Sequence, residues 1–321
     1  MLDILLVTFP FFALVLCGYI AARRRMLPFD AISGLNTFVL YFALPCMLYR
    51  FGASTPIAQL LDAAAFSVYL ACALALVAFV VWSSRNARIG WNDASFGALV
   101  AAFPNTGFMG VPLLVALLGA PAAGPAILTL MIDLLITSSL CIAMSRLDGA
   151  DEHGVEKAAK NAMRGMALNP MPWAIVLGGA ASALRLVPLQ PVAQTIGLLA
   201  DSASPVALFT IGAVLARSQF VAAQEEHDPM PWGDFVPVAL VKLLVHPLLL
   251  WCAGNLAIAL GLPLGHFALT VMVLVAALPS ASNVALLAER FGADTGRIAR
   301  IILLTTAAAF VTFSGAVALL R

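Results

Sequence analysis

Ten times along its length this sequence returns to an apolar run of about 20 residues, the length a helix needs to cross the hydrocarbon core of a bilayer. The runs cover roughly residues 3–22, 30–51, 62–82, 94–118, 122–145, 169–186, 192–216, 235–260, 266–289 and 298–320. No water-facing fold hides that much apolar surface. Of the 321 residues, 62% are hydrophobic and 10% charged, against about 25% charged in soluble domains. The expectation is an all-α polytopic membrane protein with ten transmembrane helices. A net charge of +1 says nothing about nucleic acid, and no Lys/Arg cluster interleaved with aromatics points to an RNA or DNA surface, so no nucleic-acid partner is expected.

Basic residues fall unevenly between the loops. Arg23, Arg24, Arg25, Arg85, Arg88, Arg146, Lys157, Lys160, Arg164, Arg217, Arg290, Arg297 and Arg300 share one side, and only Arg50, Arg185 and Arg321 take the other. Cytoplasmic loops carry the excess of Lys and Arg, so both termini are expected outside the cytoplasm. The first run has its positive charges after it, which is not the order of a cleavable signal. The longest loop, 146–168, is charged, cytoplasmic and central, dividing the chain into five-helix sets at 1–145 and 169–321. Because five is odd, the second set enters the membrane from the opposite face, as an inverted repeat.

Two of the runs are interrupted. AAFPNTGFMGVPLL (101–114) places Pro104, Asn105, Thr106 and Gly107 inside the fourth run. In the ninth, AALPSASNVALLAERFG (276–292) places Pro279, Ser280, Ser282 and Asn283 at the corresponding point, with Pro279 falling 175 positions after Pro104. Proline removes a helical hydrogen bond and clashes with the preceding turn, so both helices must break there. Lipid cannot satisfy the freed backbone groups, so such breaks survive only when buried in protein or lining a cavity. Interrupted segments at matching places in two halves point to a carrier's binding site. The half-helices that follow present N–H groups and a positive dipole end, suited to a carboxylate. A weaker echo aligns LYFALPCMLYRFG (40–52) with LADSASPVALFTIG (199–212), setting Pro45 on Pro205. The alternative reading is a pair of simple proline kinks with Ser/Thr back-bonding.

Ionisable residues within spans are costly and mark either function or pairing. Asp133 lies midway along the fifth run and Asp201 within the seventh. Either can carry a coupling proton or help to hold Na⁺, and either can equally sit in an Asp–Lys pair that pins the bundle. Lys242 and His246, four apart in the eighth run, share a helical face. Near the cytoplasmic end of its span, Lys242 reads as structurally paired or snorkelling. Small-residue runs such as GALVAA (97–102) and LGGAASA (177–183) permit close helix packing. The cysteines Cys17, Cys46, Cys72, Cys141 and Cys252 stand singly in apolar surroundings, with no metal-binding spacing, and read as small apolar residues.

FPNTGFMGVPLL resembles the fourth helix of the auxin efflux carrier family, which takes in plant auxin exporters and bacterial dicarboxylate permeases. GLNTFVLYFALP (34–45), NPMPWAIVLGG (169–179), SPVALFTIGAVLA (204–216) and ALPSASNVALLAERFGAD (277–294) are similar to the family's second, sixth, seventh and ninth helices. The resemblance implies ten helices, external termini, an inverted five-plus-five repeat with crossing, broken helices 4 and 9, and elevator-like transport of small carboxylates. It also implies that Asn105 contacts the carboxylate. A 23-residue central loop matches the bacterial form rather than the plant one, and Ser280-Ala281 stands where plant members have Gln-Gly. Malate- or malonate-like acids therefore fit better than auxin.

The expected function is secondary active transport of a small organic anion, the fourth and ninth helices moving against a scaffold of helices 1, 2, 6 and 7. It needs no cofactor beyond H⁺ or Na⁺ coupling, sits in a bacterial cytoplasmic (inner) membrane and leaves room for a homodimer. A membrane-embedded enzyme would need a nucleophile–base pair or metal ligands, and no HExxH, GxGD or Ser beside an intramembrane His is present. A nearer alternative is a sodium-coupled symporter of the bile-acid type. That carrier needs acidic and amide ligands around the breaks, and no carboxylate is close to them in sequence.

Overall fold

The computed structural model describes residues 2–56, 62–147, 170–224 and 230–320, all the regular structure being helical. The linker expected over 146–168 lies outside the described residues except for Arg146 and Leu147. Among the described residues twelve longer helices follow one another: α1 Leu2–Arg23, α2 Phe29–Ser54, α3 Ala63–Ser84, α4 Trp91–Ala102, α5 Thr106–Leu118, α6 Ala120–Met144, α7 Pro170–Leu184, α8 Gln190–Gln224, α9 Val236–Ala259, α10 His266–Ala276, α11 Asn283–Phe291 and α12 Thr295–Leu320. Seven of them (α1, α2, α3, α6, α8, α9 and α12) contain a stretch long and apolar enough to cross a membrane. Three shorter apolar helices, α5, α7 and α10, do not reach that length. The physical reason is plain for α5 and α10: the breaks at Pro104 and Pro279 cut the fourth and ninth runs into halves. Past the expected end of its run, α8 continues to Gln224.

Wider π-helical turns interrupt α2 at Val39–Ala43, α6 at Asp133–Thr137 and α9 at Val241–Val245, and a fourth opens α5 at Thr106–Gly110. Such turns mark places where a side chain is re-aimed at some cost to the hydrogen-bond ladder, often at functional sites.

The chain divides into two compact units that interleave along the sequence. The first comprises Met1–Asp62, Thr106–Leu128 and Asn169–Glu226, so it holds α1, α2, α5, α7 and α8. Its helices approach at glycines. A Cβ added to Gly18 would strike the Phe209 carbonyl, and one added to Gly212 would strike that of Val15, so α1 and α8 pack backbone to backbone. In the same way Gly178 of α7 leaves room for Tyr49 and Gly52 of α2. Between helices in lipid the attraction is van der Waals packing, which small residues maximise. Ser182 Oγ adds a hydrogen bond to the Thr55 carbonyl, at 2.8 Å.

The second unit comprises Ala63–Asn105, Thr129–Leu168 and His227–Arg321. At its centre is α4, buried without interruption from Ala94 to Ala102. A helix apolar on every face belongs inside protein rather than against solvent. Its other deeply buried stretch is Val271–Ala276 of α10. At one end of this unit Arg297, only 2% exposed, ties three helix starts together. Its Nε donates to the Asp234 carbonyl and its Nη1 to that of Asp93, both at 2.7 Å. Gly97 of α4 is the small residue that admits this guanidinium. Gly292, at φ 70°, turns the chain out of α11 in the left-handed conformation that glycine adopts without strain.

Candidate functional site

The two breaks meet. Pro104 offers no N–H and disfavours helical geometry at the residue before it, so α4 stops at Ala102 and Phe103 is extended. On the other side α10 stops at Ala276 and helix resumes at Asn283. The extended stretches pair antiparallel, Pro104 opposite Ser280. Asn105 N–H donates to the Pro279 carbonyl at 2.8 Å, and Ala281 N–H to the Phe103 carbonyl at 2.9 Å. Each break thus satisfies backbone groups that the other has freed, which is what a buried interruption requires. Phe103, Asn105, Ser280 and Ala281 are all buried.

This pairing narrows the anion site anticipated at two free helix starts. The amides of Asn105 and Ala281 are engaged in the pair, and Ser280 N–H reaches Thr305 Oγ1 of α12 at 3.3 Å. Two acceptor-bearing side chains remain at the second break. Ser280 Oγ and Asn283 Oδ1 are buried with no hydrogen-bond partner among the described residues. Ser282 immediately precedes α11, whose positive dipole end points at this place. Thr106 and Gly107, also buried, open the π-helical turn of α5 and belong by packing to the first unit.

The two intramembrane acids have opposite settings. Asp133 is fully buried in the second unit. Tyr69 OH donates to its Oδ2 at 2.8 Å and Thr137 Oγ1 to its Oδ1 at 3.2 Å, while Ser138 Oγ donates to its main-chain carbonyl at 2.6 Å. Hydroxyls replace the water that burial has removed from this carboxylate. Asp201 belongs to the first unit, is largely exposed, and pairs with Arg50 at 2.7 Å.

Lys242 does not snorkel. Its side chain is completely buried, because the π-helical turn Val241–Val245 aims it into the second unit. There Nζ donates to the Ala276 carbonyl at 2.7 Å and lies 3.1 Å from Nδ1 of His246, which is equally buried. Asp133 stands within electrostatic reach of Lys242.

Sequence reasoning passed over Tyr69 and Thr305. The first had a legible signal, a lone phenol in the middle of an apolar run. Thr305 had none that distinguishes it from its neighbour Thr306.

The chain matches a family described as "Membrane transport protein" over residues 4–317. It is 30% identical over 317 residues to a Rhizobium meliloti (strain 1021) protein named "Putative malonate transporter", with 97% of this chain and 94% of that protein covered. Over 302 residues it is 28% identical to "Uncharacterized transporter YfdV" of Escherichia coli (strain K12), covering 89% and 88% of the two chains. An "Uncharacterized transporter" of Methanothermobacter thermautotrophicus is 25% identical over 300 residues, covering 93% and 92%.

Proposed function

Because this chain belongs to the membrane transport protein family, that of the auxin efflux carriers, we propose that it is a secondary active transporter of small organic anions, binding a carboxylate at the paired breaks. The observation that carries this reading is the pairing itself. Two interrupted helices, 175 residues apart, satisfy each other's backbone and leave buried polar oxygens and a helix start at one place. Asn105, Ser280, Ser282 and Asn283 surround the carboxylate in this reading, with Pro104 and Pro279 holding the backbone open. Neutral amides and hydroxyls suit an anion that must be released as well as bound. The name of the Rhizobium relative favours a dicarboxylate of malonate size.

The ten apolar runs form, in this proposal, an inverted five-plus-five repeat over 1–145 and 169–321, with the fourth and ninth helices crossing at the paired prolines. Both termini lie outside the cytoplasm of a bacterial cell whose inner membrane holds the carrier as a homodimer. Transport is elevator-like. The unit containing α3, α4 and α9–α12 carries the site, and the unit containing α1, α2, α7 and α8 is the scaffold. Asp133 is the acid better placed to take part in coupling, since it is the one buried in the site-bearing unit.

Thermal stabilisation tests this. A ligand that binds only the folded protein raises its melting temperature by mass action. Purified protein is expected to shift with a short dicarboxylate such as malonate, and Asn105→Ala is expected to lose the shift while melting normally without ligand. A variant that still responds to malonate removes Asn105 from the site. The lack of any shift across a panel of mono- and dicarboxylates counts against the carboxylate reading itself.

A further inference from the structure

Where α1 ends, the chain carries three consecutive arginines, Arg23, Arg24 and Arg25, all exposed. The last turns of α8 lie beside them: Ala213 and Ala216 pack with Ala22 and Ile32, so Arg217 stands at the same level. Among the described residues no acid forms an ion pair with any of the four; the paired arginines are Arg50 and Arg88. Neutral groups hold them instead. Tyr19 OH donates to Gln219 Oε1 at 2.6 Å and accepts from Arg23 Nη1 at 3.3 Å. Arg25 has a φ of 59°, a left-handed conformation uncommon for a residue with a side chain. Its guanidinium stands 4.6 Å from the centre of the Phe29 ring and 4.4 Å from that of Phe220.

Aromatic rings attract a guanidinium without neutralising it. They take up the faces of the planar group and leave N–H donors at its edge, the geometry that suits a phosphate. An apolar stripe leads up to these arginines. Phe9, Leu16 and Ile20 of α1 are large apolar side chains left exposed. With Arg24 they fall at i, i+7, i+11 and i+15, on one face of a helix. Arg24 continues the last turn, its N–H donating to the Ile20 carbonyl at 2.9 Å. An occupant of this surface therefore presents anionic oxygens to the arginines and a long apolar body to Ile20, Leu16 and Phe9. A phospholipid with a negative headgroup has both. Free phosphate lacks the apolar body, and a zwitterionic phospholipid brings an ammonium group against the arginines.

We infer that the arginine-bearing ends of α1 and α8 form a binding site for an anionic glycerophospholipid. Arg23, Arg24, Arg25 and Arg217 hold its phosphate, and an acyl chain lies along Ile20, Leu16 and Phe9. The inference rests on the chain spanning a membrane, and on neither the substrate nor the paired breaks. It also goes beyond the rule that basic residues gather on one side of a bilayer, which asks for charge but for no particular place. Basic pockets at helix ends, by contrast, recognise lipid headgroups. Since α1 and α8 touch backbone to backbone at Gly18 and Gly212, a lipid bound across both ends stabilises the first unit.

Melting temperatures of the detergent-purified chain, with phosphatidylglycerol or phosphatidylcholine of the same acyl chains added, test the site. The wild type is expected to melt about 3 °C or more higher with phosphatidylglycerol. Arg24→Gln combined with Arg217→Gln is expected to lose most of that difference. Arg85→Gln combined with Arg290→Gln removes as much charge elsewhere and is expected to keep it. Equal melting of the wild type in the two lipids overturns the inference. So does an equal loss in both double variants, which would mean that only net charge is sensed. Glycerophosphoglycerol, the same headgroup without chains, is expected to give no shift at the same concentration, and a full shift with it overturns the lipid as occupant. Should the Arg24/Arg217 variant not fold, native mass spectrometry of Arg24→Gln alone decides. Fewer retained phosphatidylglycerol molecules than on the wild type support the site, and an unchanged number refutes it.

Discussion

Asp133 concentrates the residue-scale argument. An ionisable side chain buried among apolar helices persists only when neighbours supply the hydrogen bonds that water would have made. Tyr69 supplies one of them from 64 positions away in the chain. Removing a single buried donor costs about 1–3 kcal/mol, because the abandoned acceptor stays desolvated. Tyr69→Phe is therefore expected to lower the melting temperature clearly, while Tyr49→Phe, in a part-buried position of the first unit, is expected to leave it nearly unchanged. Equal melting of wild type and Tyr69→Phe would mean that the carboxylate does not depend on this phenol. Nothing in the residue types separated Asp133 from Asp201. Both are single acids in apolar runs, and only the packing buries one and leaves the other exposed beside Arg50.

Among the elements, α8 makes the clearest case for packing through small residues. Gly212 and Gly197 lie on the same helix, yet a Cβ on the first would collide with the Val15 carbonyl and one on the second meets nothing within 4 Å. Gly212→Val is expected to push α1 away and abolish a monodisperse peak in size-exclusion chromatography. Gly197→Val is expected to elute as the wild type does. Equal behaviour of the two variants would show that backbone contact between α1 and α8 is dispensable. Helix ends, by contrast, were readable locally. The second run, expected over 30–51, became Phe29–Ser54, because apolar length and the flanking polar residues act within the segment itself. The crossing of the two broken helices was implied by the family resemblance; which amides their pairing consumes was not legible in the sequence.

For the molecule as a whole, the asymmetry of basic residues argues for orientation, since moving charge across the bilayer is what decides which loops translocate. In a background where the five natural cysteines are replaced, Val187→Cys, at a position 89% exposed, is expected to react with an impermeant maleimide added outside intact cells. Asn86→Cys, between Arg85 and Arg88, is expected to react only after permeabilisation. The opposite pattern would invert the topology. Taken alone, the sequence determined that the chain is helical, that it belongs in a membrane, and that two helices break at Pro104 and Pro279. Each of these follows from apolar run length and proline geometry within a window of about 20 residues. The tertiary structure alone decided that the breaks consume one another's amides, that two units interleave across the sequence, and that Lys242 caps Ala276. Those outcomes depend on which freed backbone group lies nearest which donor, and the donors come from segments far removed along the chain, where local preference carries no information.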